Sequence, residues 1–335
     1  MTARRLAAIA SSALVWPLAG VPRLNLRRLK YFVKIVDVGS LTQAADILHI
    51  AQPALSQQLA TLEGEVRQQL LVRTKRGVTP TEAGKVLYRH AQLILRQCEQ
   101  ARVDMEAASQ GLSGAVSVGL APGTAAAGLS LPLLRTTRLR HPGVLLYLNE
   151  TYGTTLSELI MNGRMDLAVL YGGRTAVHGL AFLPLLKEKL FVVGPGSQPA
   201  PPEQVPLRML ADLDLYLARP YNVVRKMVDE AFAGIGLAPR VVGEIESAST
   251  LTAVIAEGLG ATILPESMAR EVTASCNAWR CCIVEPVIEA PLALCQSDHL
   301  PLSEPAQAIK TILLELVAEL PGSLLSPDRL REAAA

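Results

Sequence analysis

Two short helices joined by a tight turn, over residues 40–62, constrain this chain more than any other feature. Ser40 is placed to cap the first, with Gln43 three positions on as its capping-box partner. Leu48-His49-Ile50-Ala51 makes the turn. Gln52-Pro53 opens the second helix, with proline at the first helical position, where its missing N–H costs nothing. Apolar residues fall on one face of each element: Leu26, Leu29, Val33 and Val36 on a preceding helix, Leu41, Ala44, Ala45 and Leu48 on the next, and Leu55, Leu59 and Leu62 on the third. The predicted unit buries these three stripes and shows water Gln52, Ser56 and Gln57. Uncharged hydrogen-bonding side chains on one helix face suit contact with base edges in the DNA major groove. An ordinary helical hairpin would show the same polar stripe, so the segment on its C-terminal side has to discriminate. Residues 70–81, LLVRTKRGVTPT, read as a β-hairpin with Arg73, Lys75 and Arg76 bunched at its tip, a wing able to reach phosphates or the minor groove.

The stretch from Leu24 to Gly84 resembles the winged helix-turn-helix of LysR-type transcriptional regulators. The residues that carry the likeness are Phe32, Gly39-Ser40, Ala44-Ala45, Gln52-Pro53-Ala54-Leu55-Ser56, Leu62-Glu63, Arg73, Gly77 and Thr81-Glu82-Ala83-Gly84. Within the family, GLAPGTA (119–125) and GEIESASTLTAVIAEGLGATILPES (243–267) extend the likeness toward regulators of nitrogen assimilation. The resemblance implies an activator and repressor that binds double-stranded DNA at promoter operators as a homodimer or homotetramer and works with RNA polymerase in the cytoplasm. In those nitrogen regulators no small-molecule inducer is required. A sulfur-assimilation regulator of the same family, with a small-molecule ligand, stays open as an alternative.

Charge is distributed accordingly. Residues 1–110 hold 15 Lys and Arg against 8 Asp and Glu, whereas residues 111–335 hold 17 against 22. A basic front and an acidic remainder fit a DNA-binding head on a body that avoids DNA. The five cysteines (Cys98, Cys276, Cys281, Cys282 and Cys295) form no CxxC pair and the histidines are scattered, so neither a metal site nor a disulfide framework nor a cofactor is expected. No Ser/His/Asp set is legible, and no enzyme is expected. No stretch has the length of an ordinary transmembrane helix.

Thr79-Pro80-Thr81-Glu82 predicts an N-cap, a helical proline and a capping-box glutamate, opening a helix that runs to about Gln110. Along it Leu87, Ala91, Ile94, Cys98, Ala101 and Met105 recur at alternating spacings of four and three, the period of a coiled-coil seam and hence of a dimer. The same stripe would also serve one helix packed on its own domain. Beyond it, apolar strands alternate with helices, which predicts parallel, buried sheet. The expected strands are 115–120, 144–150, 166–171, FLPLL and KLFVVG, 214–218, 240–246, 260–265, 280–285 and 290–296. The expected helices are 124–140, 154–162, 221–235, 248–257 and 302–318.

The fold class is therefore an α+β multidomain chain. A winged helix-turn-helix domain spans 24–81 (motif 41–60), a linker and dimerisation helix 82–110, and a bilobed α/β effector domain 111–320 resembling type 2 periplasmic binding proteins, with a tail at 321–335. Ligands in such folds bind at strand C-terminal ends between lobes. Candidates are Pro122, Gly123 and Thr124, where helix N–H groups could hold an anion, facing Ser247, Ser249 and Thr250, with Tyr221 at the border. Helix capping alone would also account for the serines and threonines.

Residues 1–23 combine Arg4-Arg5, an apolar run and small residues, like a secretory signal. With the bilobed body, that start suggests an exported solute-binding protein, which leaves residues 40–81 unexplained. The alternative expectation is a mis-assigned N-terminal extension, with the working start at Val21 or Leu24.

Overall fold

The computed structural model describes residues 24–74, 77–107, 112–172, 177–199, 202–320 and 322–325. The suspected N-terminal extension, the wing-tip residues Lys75 and Arg76, and most of the tail lie outside them. The chain divides into two compact units, one up to Leu95 and one from Arg96 onward.

In the first unit, α1 (Leu26–Val38), α2 (Leu41–Leu48) and α3 (Gln52–Val66) pack around Leu29, Phe32, Ile35, Ala44, Ala45, Leu55 and Leu62, all essentially without exposure. The stripe on α1 differs from the expected one. Phe32 and Ile35 lead inward from Leu29, Val33 and Val36 flank them, and Leu26 at the helix start is 45% exposed. An inward line on a helix advances by three residues as readily as by four, and here the three-step wins. Ser40 accepts from the Gln43 N–H at 3.4 Å, and His49 closes α2 in the left-handed conformation.

The wing is a two-stranded antiparallel hairpin, β1 (Leu71–Thr74) with β2 (Gly77–Pro80), in register from Leu71↔Pro80 to Thr74↔Gly77. It is tied back by the Val78 N–H donating to the Gly39 carbonyl at 2.8 Å. α4 (Glu82–Ala107) starts two residues later than expected. Thr81, not Thr79, is its cap: the Thr81 hydroxyl accepts from the Gly84 N–H at 3.0 Å and donates to the Gln69 carbonyl at 2.7 Å. Pro80 is spent on the strand, because pairing with Leu71 fixes it in β2. Gly84 lies against the Leu70 carbonyl, where any Cβ would stand 2.0 Å from that oxygen.

The second unit contains the predicted α/β body, with its sheet mixed rather than parallel. β3 (Gly114–Leu120), β4 (Val144–Glu150) and β5 (Leu167–Tyr171) are mutually parallel around β3. β6 (Leu180–Pro195) then leaves this first lobe as one strand of 16 residues, where two separate strands were expected. β12 (Glu289–Ser297) returns antiparallel to both β6 and β5. The reason is topological: a strand that crosses out of a lobe and one that crosses back must run in opposite directions. Past the crossing, β6 pairs with β10 (Thr262–Pro265) and β11 (Ala278–Val284), and β11 with β7 (Gln204–Pro206). β8 (Leu215–Leu217) and β9 (Val241–Glu244) are parallel, and β8 joins β10 through Leu215 and Ala261.

Helices α5 (Ser130–Arg140), α6 (Gly153–Met161) and α10 (Glu304–Ala318) pack on the first lobe's strands, and α7 (Val223–Gly234) and α8 (Ala248–Ala256) on the second lobe's. α10 alone buries Ile309, Ile312, Leu313, Leu314 and Val317. α5 begins later than expected, after a 3-10 turn over Ala127–Leu129. α9 (Glu266–Ser275), packed through Met268, Ala269 and Val272, has no counterpart among the expected helices. Among the described residues, no helix is long and apolar enough to cross a membrane.

Gly84→Ala is expected to loosen the first unit by about 3 kcal/mol, the upper end for overpacking against an immobile backbone. Hydrogen exchange of the α1–α3 amides measures it, and unchanged protection would show that α4 can move aside.

Candidate nucleic-acid interface and effector cleft

The face of α3 that avoids the core carries the predicted recognition residues. Leu55, Leu59 and Leu62 point inward, Gln57 is exposed, and Gln52 and Ser56 are half-buried. Pro53 sits in the first turn, and no side chain caps the helix at Ala51. Its first-turn N–H groups are therefore available to an anion such as a phosphate. Thr42 and Gln43 are exposed at the start of α2. From β1, the Arg73 guanidinium donates to the Ser56 hydroxyl at 2.8 Å, so a wing residue and a residue expected to read bases form one group. The bond uses an acceptor site of Ser56 and leaves its proton free to donate. Lys75 and Arg76 fall outside the described residues.

Two carboxylates hold this geometry without joining the surface. Glu63 accepts from the backbone N–H groups of Leu70 and Leu71, at 2.8 and 3.2 Å, fixing where the wing leaves α3. Arg28 pairs with Glu65 and donates to Gln58 at 3.1 Å, bracing α1 on α3.

The expected dimer seam divides along α4. Ala91 is fully buried in the head's own core, with Leu87 and Ile94 packed against that core. These three serve the first unit, because α4 must cover the leucines that α1 and α3 leave open. Cys98 and Ala101 are exposed, and Met105 is 72% exposed. In the second unit, Arg96 is paired with Asp166, whose carboxylate also accepts from the Ser117 N–H and hydroxyl at 2.8 and 2.6 Å.

Between the two lobes of the body lies a cleft of about 130 Å³, lined among others by Pro122, Gly123, Thr124, Tyr152, Tyr171, Tyr221, Glu246, Ser247 and Met268. Of the predicted effector residues, Pro122, Gly123, Thr124, Tyr221 and Ser247 are brought together here. Ser249 and Thr250 are exposed on α8 and do not line it. The hydroxyls are engaged locally: Ser247 caps α8 by accepting from the Thr250 N–H at 3.3 Å and lies 3.0 Å from the Ser249 hydroxyl. Thr124 donates to the Ala121 carbonyl at 2.8 Å and accepts from the Ala126 N–H at 3.0 Å. The Glu246 carboxylate lies beside two phenols: Tyr152, raised by burial and by that charge, and Tyr221, raised by hydrogen bonding to it.

Glu188, almost fully buried on β6, has no counterpart among the expected site residues. It accepts from the Ala125 N–H at 3.1 Å, from the Ser267 N–H at 2.9 Å, and from the Tyr171 hydroxyl. A signal existed. Along β6, Leu186, Glu188, Leu190 and Val192 are buried while Lys187 and Lys189 are exposed, so the strand's period of two points this one carboxylate inward.

Burial, with the neighbouring Glu188 charge, pushes the Tyr171 phenol well above its ordinary value of 10. A phenol whose folded value is raised above the unfolded one contributes stability that is complete below the unfolded value and is lost as pH rises through the folded one. Tyr171→Phe is therefore expected to flatten the fall in unfolding free energy above about pH 10. Urea titrations at stepped alkaline pH check this, and an identical slope in the variant would refute it.

Comparison with known proteins agrees with both units. The family description "Bacterial regulatory helix-turn-helix protein, lysR family" matches residues 26–85, and "LysR substrate binding domain" matches residues 109–318. The nitrogen assimilation regulatory protein nac of Klebsiella aerogenes is 55% identical over 295 residues, covering 88% of this chain and 96% of that one. Its Escherichia coli K12 counterpart is 51% identical over the same shares. Among solved structures, a full-length OxyR variant from Pseudomonas aeruginosa covers 91% of this chain and 99% of its own, at 22% identity and a TM-score of 0.68. The fold of CbnR, solved in complex with its target DNA, is shared at 21% identity and a TM-score of 0.60, covering 92% of this chain and 100% of that one. A helix-turn-helix with a two-stranded wing in one unit, a two-lobed cleft in the other, and matches to both domain families place the chain in the LysR family of bacterial helix-turn-helix regulators.

Proposed function

We propose that this chain is a transcriptional activator and repressor of nitrogen-assimilation genes, binding promoter operators through α3 and the wing. The observation that carries the DNA reading is the Arg73–Ser56 pair at 2.8 Å, which sets a cation beside the uncapped start of a helix whose outer face is Gln52, Ser56 and Gln57. Gln52, Ser56 and Gln57 read base edges. Thr42, Gln43, Arg73, Lys75 and Arg76, with the N-terminal turn at Pro53, position the head on phosphates. The nitrogen reading is supported by the 55% and 51% identity to two nitrogen assimilation regulatory proteins over nearly their whole lengths. The sulfur-assimilation alternative has no such support, and an exported solute-binding protein has no use for α2, α3 and the wing.

The working species is cytoplasmic and at least dimeric, with RNA polymerase as its partner at the promoter. Cys98, Ala101 and Met105 on α4 are the part of the original seam left for a second copy, and Leu131, Leu139, Leu145 and Tyr147 add exposed apolar surface on the first lobe. Two heads then read successive major-groove faces of a partly palindromic site.

Arg73→Ala is expected to weaken operator and unrelated DNA alike and to lower the salt slope of binding by about one unit. Gln57→Ala should instead cost about 1–3 kcal/mol on the operator only. Ser56→Ala should show both signatures, because it also releases Arg73. Gel-shift titrations at several salt concentrations separate these outcomes, and equal losses on both duplexes for Gln57→Ala would remove it from the base readers. Met105→Asp is expected to shift sedimentation toward monomer at micromolar protein, and an unchanged profile would place the interface elsewhere.

A further inference from the structure

Glu188 is a buried carboxylate on β6, the strand that crosses between the two lobes. Its carboxylate is buried, and among the described residues no Lys or Arg pairs with it. What compensates the charge is a ring of neutral donors drawn from both lobes. The Ala125 N–H, at 3.1 Å, comes from the loop after β3 that opens the 3-10 turn of the first lobe. The Tyr171 hydroxyl comes from the end of β5 in the same lobe. The Ser267 N–H, at 2.9 Å, comes from the first turn of α9 in the second lobe, whose N-cap Pro265 offers no side-chain oxygen. Two backbone N–H groups at helical starts and a phenol are the donor set that a two-lobed cleft would present to a carboxylate ligand. Thr124, Tyr171, Pro265 and Met268 line the open cleft immediately beside it.

We propose that Glu188 is a built-in anion: its carboxylate occupies from within the chain the seat where this cleft would hold an acidic effector, and so fixes the two lobes to each other without one. The placement is set by β6 itself. The strand crosses between the lobes, Lys187 and Lys189 face outward, and the inward position at the crossing is Glu188. The consequence is a specificity: small carboxylates find no vacancy at this seat. A body whose competent arrangement is already populated has no equilibrium left for such an anion to shift.

The test is chemical rescue of the full-length chain, read by thermal melting without DNA, so its outcome does not depend on which operators the head reads. Glu188→Ala leaves three buried donors without a partner and is expected to melt about 5 °C below wild type in chloride buffer. Replacing chloride by sodium acetate or formate, at about 50 mM and matched ionic strength, should recover at least half of that loss by binding only the folded state. Wild type and Glu188→Gln, whose seats are filled, should not respond, and the Gln variant should melt below wild type because the charge is gone. Should the Ala variant fail to fold in chloride, acetate in the refolding buffer must restore its near-ultraviolet circular dichroism. The proposal is overturned by an Ala variant that does not melt lower, by one that melts lower but gains nothing from acetate, by a refolding yield indifferent to acetate, by a Gln variant that melts with wild type, or by an equal acetate response in wild type.

Discussion

The body is held together by an antiparallel pair of crossing strands, β6 and β12, registered from Leu180↔Ser297 to Lys189↔Glu289 with one bulge near Leu292. Each lobe packs its own helices on its own strands, and on β5 both faces are buried. The crossing pair extends one continuous sheet into both, so Leu185, Leu186, Leu190, Leu292 and Leu294 belong to a single core that also takes in α10 and Phe232. The one charged residue on the inward line of that pair is Glu188, and it meets donors from both sides of the crossing. Cleft geometry is thus a property of strand register: a slip of one residue along β6 would turn Lys187 or Lys189 inward.

The reading head obeys a different economy. Its core is small, and close approach does what bulk cannot. Ala44 and Ala45 let α2 pass near α3, Gly84 lets α4 cross the Leu70 backbone, and Gly77 lies where a Cβ would be 2.5 Å from the Gly39 carbonyl. The outer face of α3 is then free of packing duties. Glu63 and Arg28 take the structural bonds on the flanks, and Gln57 and the hydroxyl proton of Ser56 are left for the proposed contacts with DNA.

Much of this was legible in the residues because the signals were local. The stripes of α2 and α3, the cap at Ser40, the proline in the first turn of α3 and the alternation of strands and helices each arise within a short window. The failures are those of long-range context. Thr79 and Thr81 are both plausible caps, and only the pairing of Pro80 with Leu71 decides between them. The heptad stripe on α4 has the same period whether it faces a second chain or its own domain, and the open surface left by α1 and α3 claims Ala91. Lys187-Glu188 looks like a break between two strands until the period of two is carried through it. At the effector site, serine and threonine N-caps imitate ligand contacts, and the cap bonds of Ser247 and Thr124 are visible only in three dimensions.

A head that reads specific operators leaves a defined genome-wide footprint of the native protein. Protected, partly palindromic sites should concentrate upstream of nitrogen-assimilation genes and should be lost when Gln57 is replaced by alanine. Protection spread evenly over the genome, or confined to sulfur-assimilation promoters, would contradict that specificity.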